Sequence, residues 1–244
     1  MGQGYTVEGA RFYTQRSCYH GAVANRGKFI TFEGLDGSGK STQIEKLARA
    51  LKARGVAVTV TREPGGTDTG EKIRHVLLDS KTAALSSMAE MALMFASRAQ
   101  HIEEVIQPGI HSGRVVICDR FTDSTEAYQG GGRKLGSEAV LELHRILCHD
   151  FQPDLTILMD SDVAASVDRA RRRNKKKSAH GASEKDENRF EQESRAFFGR
   201  VRQAYLAIAR RETGRVALVD ARGTPLQTHE RIMDVVRQKL KLGK

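Results

Sequence analysis

Short apolar runs alternate with longer amphipathic stretches from residue 28 onward. The apolar runs are rich in β-branched residues, which predicts buried strands at Phe29–Phe32, Val56–Val60, Val115–Cys118, Leu155–Met159 and Val216–Val219. Helical spacing between them predicts helices at 40–53, 69–79, 87–107, 137–149, 162–173, 189–211 and 225–241. This alternation predicts an α/β fold with a central parallel sheet of about five strands. Functional groups should then lie at the carboxyl ends of the strands.

Two segments depart from this alternation. Residues 1–26 show neither periodicity nor the apolar segment of a secretory signal, and we interpret them as a disordered N-terminal extension, with an organellar transit peptide as the alternative. Residues 174–188 have little to bury, which predicts a mobile surface loop. Its position between two helices suggests a lid over approximately 169–189. We therefore expect one domain over 27–244 that carries this lid.

The formal net charge is +10, but the excess is concentrated. Residues 169–177 hold seven basic residues and no acidic one, which leaves the rest of the chain close to neutral. One focused patch argues against the broad phosphate footprint of a nucleic-acid-binding protein. No apolar run reaches the roughly 20 residues needed to cross a membrane. The cysteines, Cys18, Cys118 and Cys148, indicate no disulfide framework and suit a reducing compartment, so we expect a cytoplasmic protein.

Residues 34–41, Gly-Leu-Asp-Gly-Ser-Gly-Lys-Ser, match the phosphate-binding pattern G-x-x-x-x-G-K-S between a predicted strand and a predicted helix. The glycines let backbone N–H groups converge on phosphate oxygens, and the helix N-terminus adds partial positive charge. Lys40 is expected to bridge the β- and γ-phosphates of ATP, and the Ser41 hydroxyl to ligate Mg²⁺. The loop residues expected to bind ATP are Gly34, Gly37, Ser38, Gly39, Lys40, Ser41 and Thr42.

The chain lacks the other motifs of P-loop GTPases at their expected positions, which excludes that class. Asp220-Ala221-Arg222-Gly223 matches D-x-x-G only near the C-terminus, and 174–177 lacks the aspartate that recognises guanine.

Further segments, taken together with this loop, resemble the thymidylate kinase family. In chain order they are 32–42, 62–67 (REPGGT), 95–98 (FASR), 119–121 (DRF), 127–132 (AYQGGG), 169–173 and 189–193. The resemblance covers about 28–240. It implies a P-loop NTPase fold, transfer of the γ-phosphoryl group of ATP to dTMP with Mg²⁺, and a homodimer. Another P-loop kinase with a different acceptor remains the alternative, and a nucleic-acid-binding P-loop protein fits the charge pattern less well.

The resemblance also assigns an acceptor site. In it, Phe95 stacks on thymine, Arg98 contacts an exocyclic base oxygen and Asp36 contacts the 3′-hydroxyl. The spacing of Phe95 and Arg98 puts both on one helix face, and arginines such as Arg74 and Arg120 can hold a phosphate bidentately. The residues expected to bind dTMP are Asp36, Glu63, Pro64, Arg74, Phe95, Arg98, Arg120, Ser124, Tyr128 and Gln129.

Phosphoryl transfer to an anionic phosphate oxygen needs charge neutralisation more than a general base. The loop positions between Gly34 and Gly39 contain no arginine, so the chain resembles the mainly bacterial members that carry the transition-state arginine in the lid. Asp119 is expected to reach Mg²⁺ through water, and Arg222 to line the adenine site. The residues expected to act in catalysis are Lys40, Asp36, Arg120, Arg173, Arg171 and Arg169, with Arg173 as the main transition-state contact.

Overall fold

The computed structural model describes residues 26–79, 82, 85–179 and 189–241. Five strands form one sheet: β1 (Lys28–Glu33), β2 (Val58–Arg62), β3 (Val115–Asp119), β4 (Leu155–Asp160) and β5 (Val216–Asp220). Their order is β2-β3-β1-β4-β5, and every neighbouring pair is parallel. The predicted α/β fold with a parallel five-stranded sheet is confirmed. β1 lies at the centre, so the loop that follows it opens in the middle of the carboxyl edge.

Helices cover both faces of the sheet. They are α1 (Lys40–Lys52), α2 (Asp68–Leu78), α3 (Ser87–His101), α4 (Gln107–His111), α5 (Thr122–Thr125), α6 (Ser137–Cys148), α7 (Val163–Ala179), α8 (Arg195–Arg211) and α9 (Pro225–Leu240). A π-helical segment, Ile102–Ile106, joins α3 to α4, and another, Glu126–Gly132, continues α5. A 3₁₀ turn spans Arg189–Gln192. None of the described helices is both long and apolar enough to cross a membrane.

The two faces of β1 bury different groups. Ile30 and Phe32 pack with α1 and α9, while Phe29 packs with α3 and α6. Because side chains alternate along a strand, Thr31 and Glu33 lie on the same face as Phe29. Each large apolar side chain buried in these clusters stabilises the fold by roughly 1.5–3 kcal/mol. The central strand therefore places a carboxylate, Glu33, inside the molecule, directly before the phosphate loop.

Two boundaries predicted around the lid are wrong. The helix predicted to end at 173 continues as α7 to Ala179, so the first part of the predicted loop 174–188 is helical. The single helix predicted over 189–211 is instead a 3₁₀ turn followed by α8, since the Ser194 side chain caps α8 by accepting a hydrogen bond from the Phe197 backbone N at 3.2 Å. The rest of the predicted loop and nearly all of the predicted N-terminal extension lie outside the described residues.

The segment 122–132 is helical, although its glycines gave no helical signal. Close packing against α8 explains both the helix and the glycines. A Cβ on Gly131 would lie 2.6 Å from the Cβ of Ala204, and one on Gly132 would lie 2.5 Å from the Phe197 ring. The glycines therefore let two helices touch, and they fix Tyr128 and Gln129 on a rigid element.

Candidate active site

The phosphate loop bends from β1 into α1 through three glycines with left-handed backbone, Gly34, Gly37 and Gly39. A Cβ on Gly37 would lie 2.1 Å from the carbonyl oxygen of Ser166 on α7. Lys40 is buried and donates to the carbonyl oxygens of Gly34 and Leu35, both at 3.0 Å. Burial lowers the pKa of Lys40, helped by the charge of Arg120. The loop thus holds its lysine against its own carbonyls, where phosphate oxygens can replace them.

A cavity of about 410 Å³ opens beside this loop. Its walls include the predicted ATP-binding residues Gly37, Ser38, Gly39, Thr42 and Arg222, together with Arg169 from the lid. Arg169 donates from Nε to the Gly37 carbonyl oxygen at 2.8 Å. Arg222 is largely exposed and donates from Nε to Asp220 at 2.8 Å. The cavity brings the phosphate loop together with the loop that follows β5.

Asp36 and Arg120 form the centre of the site. Arg120 Nη2 donates to Asp36 Oδ1 at 2.8 Å, and the Tyr128 hydroxyl donates to Asp36 Oδ2 at 3.2 Å. Burial opposes ionisation of Asp36, but the charges of Arg120, Lys40 and Arg173 outweigh it and hold the pKa of this carboxyl well below its usual range. Asp36 is therefore a fixed anion, and the lid residue Arg173 acts on it electrostatically.

Arg98 lies deep in α3 with 2% of its surface exposed. Its Nε donates to Glu63 Oε2 and its Nη2 to Thr125 Oγ1, each at 2.8 Å. The other oxygen of Glu63 bonds to His101 Nδ1 at 2.9 Å. Nη1 of Arg98 is buried and has no hydrogen-bond partner among the described residues. A buried donor without an acceptor suits a carbonyl oxygen supplied by a ligand. Glu63 is thus placed behind Arg98, where it orients the guanidinium.

Phe95 does not fit the base-stacking role expected of it. Its side chain is fully buried among Met91, Ile102 and Phe121, and the Arg98 guanidinium covers its ring at 4.9 Å. The two residues do share a helix face, but that face points into the core, so no ring surface is left for a base. The preceding residue, Met94, is half-buried and packs against the cluster that contains Tyr128.

The remaining predicted acceptor residues surround this centre. Ser124 and Tyr128 both contact Arg120, through Nη1 at 2.9 Å and Nη2 at 3.2 Å respectively. Arg74 is half-buried and donates to the carbonyl oxygen of Pro64 at 2.9 Å, which ties α2 to the buried turn after β2. Gln129 is buried and its Nε2 donates to Glu90 at 2.7 Å. The Gln129 amide nitrogen is therefore committed to α3 in this conformation.

Glu90 is one of the residues that sequence reasoning missed. It is completely buried, and Arg133 Nη2 at 3.2 Å and Arg189 Nη2 at 2.7 Å pair with it. Arg133 also pairs with Glu193, whose carbonyl oxygen accepts from Arg171 Nη2 at 3.1 Å. These contacts join both ends of the lid to the acceptor side. The sequence signal that could have identified Glu90 is the presence of an acidic residue within the apolar run of α3.

The surroundings of the Asp119 carboxylate show whether this site can hold a metal ion. Its Oδ1 is buried and has no hydrogen-bond donor in the part of the chain that the structure describes. Asp119 ends β3, and its charge acts on Lys40. The Ser41 hydroxyl lies at the exposed first turn of α1. A free carboxylate oxygen and a hydroxyl beside a phosphate loop are the ligands that Mg²⁺ prefers, so these residues fit the ion.

Comparisons with known proteins agree with this geometry. The thymidylate kinase family model matches residues 32–232. The thymidylate kinase of Pelobacter propionicus is 46% identical over 212 residues, which cover 87% of this chain and 94% of that protein. That of Pseudomonas syringae pv. syringae is 48% identical over 198 residues, covering 81% and 89%. The crystal structure of thymidylate kinase from Ehrlichia chaffeensis superposes with a TM-score of 0.69 at 31% identity, covering 86% of this chain and 98% of that one.

Proposed function

We propose that this chain, which belongs to the thymidylate kinase family, transfers the γ-phosphoryl group of ATP to dTMP and releases dTDP and ADP. One observation carries the proposal. The buried Arg98 offers an unpaired Nη1 on the acceptor side of a phosphate loop whose neighbouring arginine, Arg120, can bind a phosphate. A base carbonyl and a monophosphate on one ligand satisfy both groups.

The donor and the acceptor meet at the carboxyl edge of β1. The triphosphate of ATP takes the place of the carbonyls that hold Lys40, and the loop N–H groups bind its oxygens. Arg120 orients the acceptor phosphate towards it. Arg169, Arg171 and Arg173 on α7 neutralise the charge that spreads over the transferring group, with Arg173 as the main contact. Ser41 and Asp119 would hold Mg²⁺, which would supply further charge neutralisation.

Asp36 acts as an orienting anion in this mechanism. Its low pKa keeps it ionised, so it can accept a hydrogen bond from the 3′-hydroxyl of the sugar. No proton transfer through Asp36 is needed, because the acceptor oxygen of a nucleoside monophosphate is already anionic. The Tyr128 ring lies under the Arg120 guanidinium at 4.9 Å, and we propose that it crowds the 2′ position of the sugar and so favours deoxyribose.

The proposal also covers the oligomeric state, the cellular location and the partners of the protein. We propose a homodimer, and exposed apolar side chains on the helices of the acceptor side, Val76 on α2 and Met88 on α3, support such an interface. A cytoplasmic location and the absence of a specific nucleic-acid partner are part of the same proposal. The concentration of positive charge in the lid supports the second point, since that charge is accounted for by the phosphates of the substrates.

A coupled ADP-release assay with Mg·ATP tests the function. The acceptors are dTMP, dUMP, dCMP, AMP, GMP, UMP and thymidine, with ATP alone as the blank. We expect dTMP to have the highest kcat/KM and thymidine to give no turnover. A preference for another monophosphate would retain the kinase and overturn the acceptor assignment. ADP release on none of the acceptors would overturn the proposal.

A further inference from the structure

Glu33 lies at the end of β1 and faces the turn that carries Arg120. It is completely buried. Its Oε1 accepts from the Phe121 backbone N at 2.7 Å, and its Oε2 accepts from two hydroxyls, Ser124 Oγ and Tyr205 Oη, the latter at 2.9 Å. Both carboxylate oxygens are thus occupied by donors from the segments around the acceptor site.

Arg120 contacts the same two hydroxyls from the other side. Its Nη1 donates to Ser124 Oγ at 2.9 Å and to Tyr205 Oη at 3.1 Å. A guanidinium can only donate, so each hydroxyl must use a lone pair towards Arg120 and has one proton left. An ionised carboxylate can only accept, so Oε2 of Glu33 draws both protons towards itself, although the two hydroxyls also lie 2.8 Å from each other and can share one proton. Glu33 therefore orients the Ser124 and Tyr205 hydroxyls that hold Nη1 of Arg120.

The two ends of the guanidinium differ in access to solvent. Nη1 is held by Ser124 and Tyr205, which are 8% and 3% exposed. Nη2 is held by Asp36, whose side chain is 29% exposed, and by Tyr128. An incoming phosphate can exchange with the partners of Nη2, whereas the partners of Nη1 are sealed inside the fold.

We infer that Glu33 and Tyr205 are positioning residues for the acceptor phosphate: acting through the Ser124 and Tyr205 hydroxyls, Glu33 fixes Nη1 of Arg120 and presents Nη2 to the phosphate. The inference rests on the proposed function, since it requires Arg120 to bind the phosphate of dTMP. The Tyr205 hydroxyl thereby connects α8, the helix after the lid, to Arg120.

Two variants disturb this relay to different extents. In Glu33→Gln the amide oxygen stays on the Phe121 N–H, so Nε2 replaces Oε2 and donates to the hydroxyls. One hydroxyl can still donate to the other, which lies 2.8 Å away, but the remaining proton turns towards Nη1, which is itself a donor, and the guanidinium is displaced. Tyr205→Phe removes one of the two hydroxyls and leaves the Ser124 contact. Glu33→Gln should therefore have the larger effect.

The test is steady-state kinetics at pH 8, above the pKa of Glu33 of about 7, with both substrates varied, together with inhibition by thymidine, which lacks the phosphate. We expect KM for dTMP to rise about 10-fold in Glu33→Gln and about 3-fold in Tyr205→Phe, with KM for ATP and the inhibition constant of thymidine within about 2-fold of wild type. A general distortion of the acceptor site would weaken thymidine binding as well. Thr31→Val is the matched control, since it removes a buried hydroxyl of β1 that bonds to Thr156 at 2.8 Å.

Each outcome has one meaning. A wild-type enzyme with no activity on dTMP would overturn the proposed function and this inference with it. Wild-type activity with an unchanged dTMP KM in Tyr205→Phe, or with dTMP and thymidine weakened equally, would overturn the inference alone. Circular dichroism and the melting temperature show whether each variant is folded, and Tyr205→Phe decides the matter if Glu33→Gln does not fold.

Discussion

The acceptor side and the donor side of the active site are built differently. On the acceptor side, Arg98 and Ser124 are buried and held by carboxylates that are themselves buried, Glu63 and Glu33. On the donor side, Arg222 and the Asp220 carboxylate that holds it are exposed, and Arg169 reaches over the phosphate loop from the lid. One side is part of the core, and the other lies on the surface around a cavity.

The acceptor side should therefore determine substrate selectivity, and the lid on the donor side should determine the rate of phosphoryl transfer. Buried groups held by other buried groups do not have to be ordered when the ligand binds, so they discriminate between acceptors by shape and hydrogen bonding. Exposed arginines on a lid gain most of their interaction energy when the lid closes and water leaves. Substitutions on the acceptor side should therefore change KM for dTMP, and substitutions in the lid should change kcat.

The largest expected effect is that of Arg173→Ala. Arg173 acts on Asp36 electrostatically but belongs to the lid, so its main contact should form in the transition state. We expect kcat to fall roughly 10²-fold with a modest change in either KM. Steady-state kinetics measures it, and Arg172→Ala, an exposed neighbour on α7, is the matched control. An unchanged kcat would transfer the role to Arg169 or Arg171 and would weaken the division between the two sides.

The second-largest expected effect is a pH dependence of the free energy of unfolding, which arises from Glu33. Burial, together with the charge of Asp123, raises the pKa of Glu33 to about 7, although Arg120 and hydrogen bonds oppose the shift. The unfolded chain loses this proton near pH 4.5, whereas the folded chain keeps it until about pH 7. The stability that the protonated Glu33 carboxyl contributes is therefore fully present below pH 4.5 and is lost as the pH rises through 7. Ionisable groups that act on Glu33 or are acted on by it are Lys40, Cys118, Arg120, Asp123, Tyr205 and Arg215.

Glu33→Gln keeps the neutral form at every pH. Its free energy of unfolding, relative to wild type, should therefore rise by about 2 kcal/mol between pH 5 and pH 8. Urea unfolding at several pH values measures it. Asp220→Asn on the donor side is the control, since the pKa of Asp220 is lowered to about 2 and lies below this range in both states. A flat difference for Glu33→Gln would mean that Glu33 is ionised throughout.

A third prediction concerns the base. Arg98→Lys keeps a positive charge beside the buried Glu63 but loses the fork that reaches Thr125 and leaves Nη1 free. We expect KM for dTMP and the inhibition constant of thymidine to rise together by about 10-fold, with KM for ATP unchanged. Arg114→Lys, an exposed arginine on the edge of β3, controls for the loss of a guanidinium. Equal weakening of dTMP and ATP would contradict the assignment of Arg98 to the base.

The sequence predicted the sheet and the phosphate loop because both depend on local patterns. Buried strands of five or six residues have a characteristic composition, and the glycines of the loop have a fixed spacing. Arg98 and Arg120 could also be assigned, since the resemblance carries them by position. Their surroundings could not be predicted, because Glu33 and Tyr205 are 172 residues apart and meet only in the folded chain.

Phe95 shows the limit of helical spacing as an argument. A separation of three places two side chains on one face, but does not tell whether that face points to a ligand or to the core. Here the face of Phe95 and Arg98 points to the core, and only the guanidinium of Arg98 retains an unpaired group. The glycines at 130–132 were ambiguous for a similar reason, since their requirement for close approach comes from α8.

The smallest expected effect is that of Arg222→Ala on the donor side. Arg222 lines the cavity, but its side chain is 71% exposed and pairs with Asp220, which is itself exposed. Contacts made by exposed charges are weak because water screens them, so KM for ATP should rise only about 2- to 3-fold and KM for dTMP should not change. The same variant should lose part of the preference for ATP over GTP as the donor, since Arg222 is expected to line the adenine site. Arg237→Ala on α9 is the exposed control. A 10-fold or larger rise in KM for ATP would mean that the donor side contains a preformed pocket of its own, and the contrast with the acceptor side would then be one of exposure alone.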